Sequence, residues 1–246
     1  MKSSVVTRNI DIVPAPPLYQ YHAKGGTVVL IDVLRFTSTL TTALANGALW
    51  AETFADPEKA LAKLNEGYIV AGEKNGIVLD GFHYNNSPVS MTRENIGGRK
   101  LAFVTTNGTY MRSLIEEYDA IYAGCFLNVS ALIDRLLHGD NDIQLVCSGT
   151  QNRLSTDDFV FAGMVADKLL ATGQFVYNND SVALARTLYQ CAKDDIKTFI
   201  LNHSPKTRPF CETHEHYRKD LEFAMQVDLY DVVPEEESPF KFVLKP

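Results

Sequence analysis

Residues Thr27 to Gly47 read TVVLIDVLRFTSTLTTALANG. The apolar run Val28 to Ile31 predicts a buried strand. It ends at Asp32, passes Arg35, and enters a helix through the hydroxyl cluster Thr37, Ser38 and Thr39. Gly47 stands where a helix stop belongs. A carboxylate and a guanidinium would then share one strand end and face a helix N-terminus, which favours anions. Such an end can hold a metal ion and a phosphate side by side.

Two later stretches repeat the design with different polar residues. In KLAFVTTNGTYMRSLIEE, Leu101 to Val104 is the strand, Thr105 to Thr109 the loop, and a helix follows. In DIQLVCSGTQNRLSTDDFVFAGMVADKLL, Ile143 to Cys147 is the strand, Ser148 to Leu154 the loop, and Ser155 begins a helix. Phe159, Ala162, Ala166 and Leu169 recur on one face of that helix. Between these units lie a helix from Asp56 to Glu66, capped by Asp56 and stopped by Gly67, and a strand from Tyr68 to Ala71. A turn at Gly72-Glu73-Lys74 opens a long loop region to residue 98, with a hairpin around Ile77 to Leu79. A strand from Ala120 to Ala123 leads through Gly124 and Asn128 into a helix from Val129 to His138. Beyond about residue 172 the pattern is mainly helical, with one more strand at Leu229 to Val233 and a Pro- and Glu-containing tail.

Strands alternating with helices predict a layered α/β/α fold with a mostly parallel sheet and a helical C-terminal part. One domain spanning residues 1–246 is expected, with any subdivision near 98–100. Ligands in such sheets bind beyond the carboxyl ends of the strands. Parallel pairing would bring the loops at Asp32, Glu73, Thr105 to Thr109 and Ser148 to Asp158 to one edge.

Composition narrows the classes. The chain has 246 residues, 46% of them hydrophobic, enough for a sizeable core. A formal net charge of -7 argues against nucleic acid as the main partner but admits a small anionic substrate. No signal peptide and no membrane span are expected, so the reading is cytoplasmic, with further copies of the chain as the one protein partner considered. Cys125, Cys147, Cys191 and Cys211 are far apart and read as reduced, mostly buried thiols.

Several residues could carry chemistry. Asp32 is a metal ligand or nucleophile, or else a cap of the following turn. Arg35 grips an oxyanion, or makes a surface ion pair. Glu73 draws interest from its position after a strand. Thr105 to Thr109 is the most phosphate-like loop, with hydroxyls, an Asn-Gly turn and backbone N–H groups at a helix start, though it is no Walker loop. Ser155 to Asp158 is a capping-box variant that could turn one carboxylate toward Asp32. His214 and His216 point to different helix faces and make a poor zinc motif. Cys125 follows a strand and could be a nucleophile, without an evident partner.

A haloacid-dehalogenase-type phosphatase needs D-x-D, and Leu34 occupies the second position. An isochorismatase-type cysteine hydrolase shares the apolar run and Asp, but its thiol falls later than Cys125, where this chain has Val129 or Ser130. A third pattern fits better. The blocks VVLIDVLRFTSTLTTALANG, AGEKNG with DGFHYNNSP, TTNGT, AGCFLNVSAL and SGTQNRLSTDDF occur together and in order, and EHYRKDLEFAMQVDLYDVVPE continues them more weakly. In these the sequence resembles the 2-phosphosulfolactate phosphatase (ComB) family.

The resemblance implies a Mg²⁺-dependent phosphatase that yields sulfolactate and phosphate, a step toward coenzyme M in organisms that make it. Asp32 and Arg35 match the family's D-x-x-R, Glu73 its G-E, Asn86-Ser87-Pro88 its N-S-P, and Asn107-Gly108-Thr109 its N-G-T. Asp158 matches the second acid of its pair before Phe. On this basis Asp32, Glu73 and Asp158 are the expected metal shell, and Asp32, Arg35 and Asp158 the catalytic residues. Ser87, Thr106, Asn107, Gly108 and Thr109 are expected substrate contacts, with Lys74 and Arg153 for a second anionic group. Departures fall at Lys74 (usually Arg), Asn75, Asn85 (usually Gly) and Gln151 to Leu154. They bear on the substrate more than on the metal chemistry. The alternative from another class is a non-catalytic anion-binding protein that keeps the pocket.

Overall fold

The computed structural model describes residues 7–74 and 77–245, with Lys74 described by its backbone alone. The strands are β1 (Arg8–Val13), β2 (Thr27–Ile31), β3 (Trp50–Phe54), β4 (Ile69–Lys74), β5 (Ile77–Val78), β6 (Lys100–Val104), β7 (Ala120–Gly124), β8 (Ile143–Cys147), β9 (Phe175–Val176), β10 (Pro234–Ser238) and β11 (Lys241–Leu244). The helices are α1 (Phe36–Ala45), α2 (Pro57–Ala62), α3 (Arg93–Ile96), α4 (Asn107–Leu114), α5 (Val129–Leu137), α6 (Thr156–Ala171), α7 (Asp180–Ala192), α8 (Ile196–His203), α9 (Thr207–Thr213) and α10 (Glu215–Ala224). The expected α/β fold with a helical C-terminal part is present.

The strands form one sheet in the order β5-β4-β6-β3-β11-β10-β7-β2-β8-β1-β9. β4, β6 and β3 are parallel to one another, as are β7, β2, β8, β1 and β9. The hairpin β10–β11 joins the two groups through three antiparallel pairings, so the groups run in opposite senses. This corrects the expectation of one parallel edge. Sheet twist reconciles the opposed groups: about 20–25° per strand, accumulated from β6 across β3, β11, β10 and β7 to β2, comes to roughly 100–125°. Asp32 after β2 and Thr105 after β6 do line one cavity.

Helix α1 packs on one face of the sheet, across both strand groups. Phe36 to Leu44 are all buried. One core gathers Val28 and Leu30 of β2, Ile121 of β7, Ala51 of β3, Phe103 of β6 and Phe242 of β11 around Phe36, Leu40 and Leu44 of α1. The Phe36 ring meets Phe103 and Phe242 edge-on, with centroids 6.3 and 6.4 Å away. Hydroxyls tolerate this burial because they bond locally. Ser38 Oγ donates to the Val33 carbonyl, Thr42 Oγ1 to Ser38, and Thr39 Oγ1 to the Asn86 carbonyl, each at 2.8 Å. On the other sheet face, Val29 and Ile31 of β2 pack with α5, α6 and α7. A smaller core under α2 joins Ala60, Val70 and Ala102.

Other boundaries differ from the sequence reading. β4 continues through Gly72, Glu73 and Lys74 and turns only later, pairing Glu73 with Val78 and Lys74 with Ile77 in the expected hairpin; its tip, with Asn75, lies outside the described residues. α4 begins at Asn107, so Gly108 and Thr109 are helical. The strand expected at Leu229 to Val233 lies instead in the acidic tail, Pro234–Ser238. There Glu236 is buried against Arg112, whose Nε and Nη2 donate to its two carboxylate oxygens at 2.6 and 2.8 Å. The backbone N–H of Phe240 donates to the same carboxylate at 2.7 Å, closing the β10–β11 turn. β1 carries no prior expectation; it buries Ile10 and Ile12 beside β8.

Candidate active site

Asp32 stands at the end of β2 and is both a cap and a site residue. Its Oδ1 accepts from the Phe36 N–H at 3.4 Å, and its own N–H donates to Thr37 Oγ1 at 3.2 Å. Its Oδ2 faces the first turn of α4. A Cβ added at Gly108 would come within 2.9 Å of that oxygen and 2.5 Å of the Phe36 ring, so only glycine lets α4 approach this closely. Burial, and next the charge of Asp157, push Asp32 up to about 6; the Phe36 N–H and the Lys206 and Arg35 cations oppose the shift.

The acid pair at the start of α6 divides its work. Asp157 lines the cavity with Asp32, its Oδ2 accepting from the Leu34 N–H at 3.1 Å and its Oδ1 from Ser155 Oγ at 2.5 Å. Asp158 does not line it. Its oxygens accept from the backbone N–H groups of Val33 and Gly149 at 2.8 and 2.9 Å. Successive residues on a helix point about 100° apart, and the family pattern alone favoured the other acid. Burial raises the pKa of both.

Arg35 is buried and held from the C-terminal helices. Nη1 donates to Asp220 Oδ2 at 2.6 Å, and the guanidinium lies 4.5 Å from the centroid of the Tyr217 ring. Ser87 Oγ donates to the other Asp220 oxygen, which places Ser87 behind the arginine and outside the cavity lining. Arg35 Nη2 is buried with no hydrogen-bond partner and lies 3.9 Å from Glu73 Oε2. Glu73 and Asn86 line the same cavity, and Asn86 Oδ1 is likewise buried without a hydrogen bond. An orphaned donor and an orphaned acceptor at one cavity mark a place for a polar ligand.

Thr105, Thr106 and Asn107 form the wall beside Asp32. Thr105 Oγ1 accepts from the Thr109 N–H at 2.9 Å, and the two hydroxyls are 2.9 Å apart. Thr109 is therefore spent on the loop rather than the cavity. Gly108 serves by its missing side chain.

Lys206 and Tyr217 are cavity residues that the sequence reading missed, as it missed Asp220 behind Arg35; Asp157 belongs to the acid pair it left open, although the family match favoured Asp158. Tyr217 and Asp220 lie in EHYRKDLEFAMQVDLYDVVPE, so the weak family match was their only signal. Lys206 had none. Lys206 also lines an outer vestibule with Thr150, Gln151, Arg153 and Leu154. Arg153 is thus outside the inner cavity, in a tight turn where Thr150 and Arg153 exchange backbone hydrogen bonds at 2.8 and 2.9 Å. The Lys74 side chain lies outside the described residues. Cys125 is fully buried and does not line the cavity, and burial pushes its thiol up to about 11, which argues against it as the nucleophile of a cysteine hydrolase. All four cysteines are free.

Among the described residues no three His, Cys, Asp or Glu side chains close into a metal cage. The donor set is instead open: Asp32 and Asp157, buried together, with one charge opposing the other's ionisation. Mg²⁺ takes one or two carboxylates and keeps several waters, and a cation there would relieve the repulsion, so these residues fit it.

Buried acids, a half-committed guanidinium and a helix start make this an enzyme site for small anions. A family profile described as 2-phosphosulpholactate phosphatase matches residues 14–239. The chain belongs to that family of phosphoric monoester hydrolases. It is 36% identical over 227 residues to a probable 2-phosphosulfolactate phosphatase of Thermotoga petrophila, covering 92% of this chain and 94% of the relative. A protein of the same description from Caldanaerobacter subterraneus is 33% identical over 215 residues, 86% of this chain and 88% of that one. No helix among the described residues is long and apolar enough to cross a membrane.

Proposed function

We propose that the chain is a Mg²⁺-dependent phosphatase that hydrolyses 2-phosphosulfolactate to sulfolactate and inorganic phosphate. Family membership supports the substrate. The observation that carries the chemistry is the meeting of Asp32, Asp157 and Glu73 with Arg35 and the start of α4 in one cavity.

Arg35, through the Nη2 that makes no hydrogen bond, and the Asn107 and Gly108 amides at the start of α4 bind the phosphoryl oxygens and stabilise the charge that builds on them. Asp32, pressed against α4, accepts the proton of the attacking water. The bond between phosphorus and the ester oxygen breaks, the leaving alkoxide takes a proton from solvent water, and Asp32 returns its own to solvent, which leaves the enzyme unchanged. Asp32 and Asp157, with Glu73 lining the same cavity, would hold Mg²⁺ directly or through water, and the ion would supply positive charge to polarise the phosphoryl group. Asp158 keeps Val33 and Gly149 in place from behind.

Phosphate release from 2-phosphosulfolactate is expected to fall at least about 100-fold in excess EDTA and to return with added Mg²⁺. A rate indifferent to EDTA removes the metal assignment. Ligand-induced thermal stabilisation with no phosphate released from any monoester would leave a binding protein instead.

Asp220 is a positioning residue for Arg35. Asp220→Asn is expected to raise KM about tenfold, since the neutral amide no longer fixes the guanidinium. Asp220→Glu should recover part of the loss. Steady-state kinetics with a melting curve on each variant decide it: an unchanged KM in a destabilised protein makes Asp220 merely structural.

A further inference from the structure

We propose that Lys206 receives the sulfonate of the substrate and so selects which phosphomonoesters are accepted; this rests on the phosphatase reading above. Lys206 immediately precedes α9 and lines both the inner cavity and the outer vestibule, at their junction. Its Nζ donates to Thr150 Oγ1 at 3.1 Å, which tethers it to the turn that carries Arg153. Among the described residues no carboxylate lies within ion-pair distance of that ammonium, whereas Asp220 answers Arg35. Its charge still reaches Asp32 and Asp157, so it stands close to where the phosphoryl group is handled.

An ammonium offers three donors on a rotatable end, and only one is used by Thr150. Two remain for a tetrahedral anion, whose three oxygens suit a point charge. The planar fork of Arg153 suits a carboxylate better. The phosphoryl group at Arg35 and α4, the sulfonate at Lys206 and the carboxylate toward Arg153 would thus use each cation by its shape.

The test compares 2-phosphosulfolactate with 2-phospholactate, which lacks only the sulfonate, in the full chain and in Lys206→Met and Lys206→Arg. Lys206→Met should raise KM for 2-phosphosulfolactate about 10- to 100-fold and raise that for 2-phospholactate by a factor at least about fivefold smaller. Lys206→Arg should fall between. Equal losses on both substrates overturn the assignment, because Lys206 would then serve the phosphoryl group or the acids. A second readout needs no turnover: sulfolactate should raise the melting temperature of the wild type but not of Lys206→Met. A wild type that binds sulfolactate through Lys206 yet releases no phosphate refutes the phosphatase reading alone. Equal stabilisation of both proteins refutes the Lys206 assignment alone.

Discussion

Asp32→Asn is expected to lower kcat by at least about 10³-fold and, in metal-free protein, to raise stability. The activity loss follows because the variant removes the proton acceptor and half of the cation-holding pair. The stability gain follows from the sign of the shift. Asp32 is an acid whose folded pKa lies near 6, above its ordinary 3.8. The folded state therefore holds its proton more tightly than the unfolded chain. Its contribution is fully present below pH 3.8 and is lost as pH rises through about 6. A gap of about two pH units corresponds to roughly 2–3 kcal/mol. Chelated wild type and Asp32→Asn should accordingly melt alike at the acid end and diverge toward pH 8, the variant higher. Added Mg²⁺ should narrow the gap by stabilising the wild type alone. Equal melting of the two proteins at pH 8 without metal would mean that Asp32 is not held at a cost, and would sink the carboxylate-pair account.

The second large effect concerns stability and lies away from the cavity. Glu236→Gln is expected to cost about 3 kcal/mol, because it leaves the buried Arg112 charge without its partner. For a chain of this size that is roughly a 6–12 °C drop in melting temperature. Arg112→Met combined with Glu236→Leu should recover much of it, since apolar replacement of a buried pair is often neutral or better. KM measured well below the melting point should stay within about twofold in both, as neither residue lines the cavity. A drop of under about 2 °C for Glu236→Gln would show that the pair does not clamp the hairpin.

How much was legible in the sequence follows from how local each cause is. β2 and α1 could be read almost to the residue, because an apolar run, a hydroxyl start and a glycine stop act over a few positions. Asp56 caps α2, and Gly67 adopts a left-handed φ of 78°, as expected. β10 was misplaced because three successive glutamates do not look like a strand. Glu235 pairs with Lys245 and Glu236 with Arg112, partners invisible in the local pattern. The opposed strand groups could not be inferred, since they depend on where the last hairpin inserts. The choice between Asp157 and Asp158 turned on one helical step, and Lys206 comes from a segment without a recognisable motif.

That hairpin has a consequence for biosynthesis. It follows β1 to β9 along the chain, yet it sits at the middle of the sheet, between β3 and β7. While the chain emerges from the ribosome, both half-sheets can form, each presenting a bare strand edge of the kind that recruits other chains. Neither edge is covered until residues 234–244 are free to insert. The sheet should therefore close only once residues 234–244 have left the ribosome, and the interval before that is when nascent chains would be most exposed to aggregation and most dependent on chaperones.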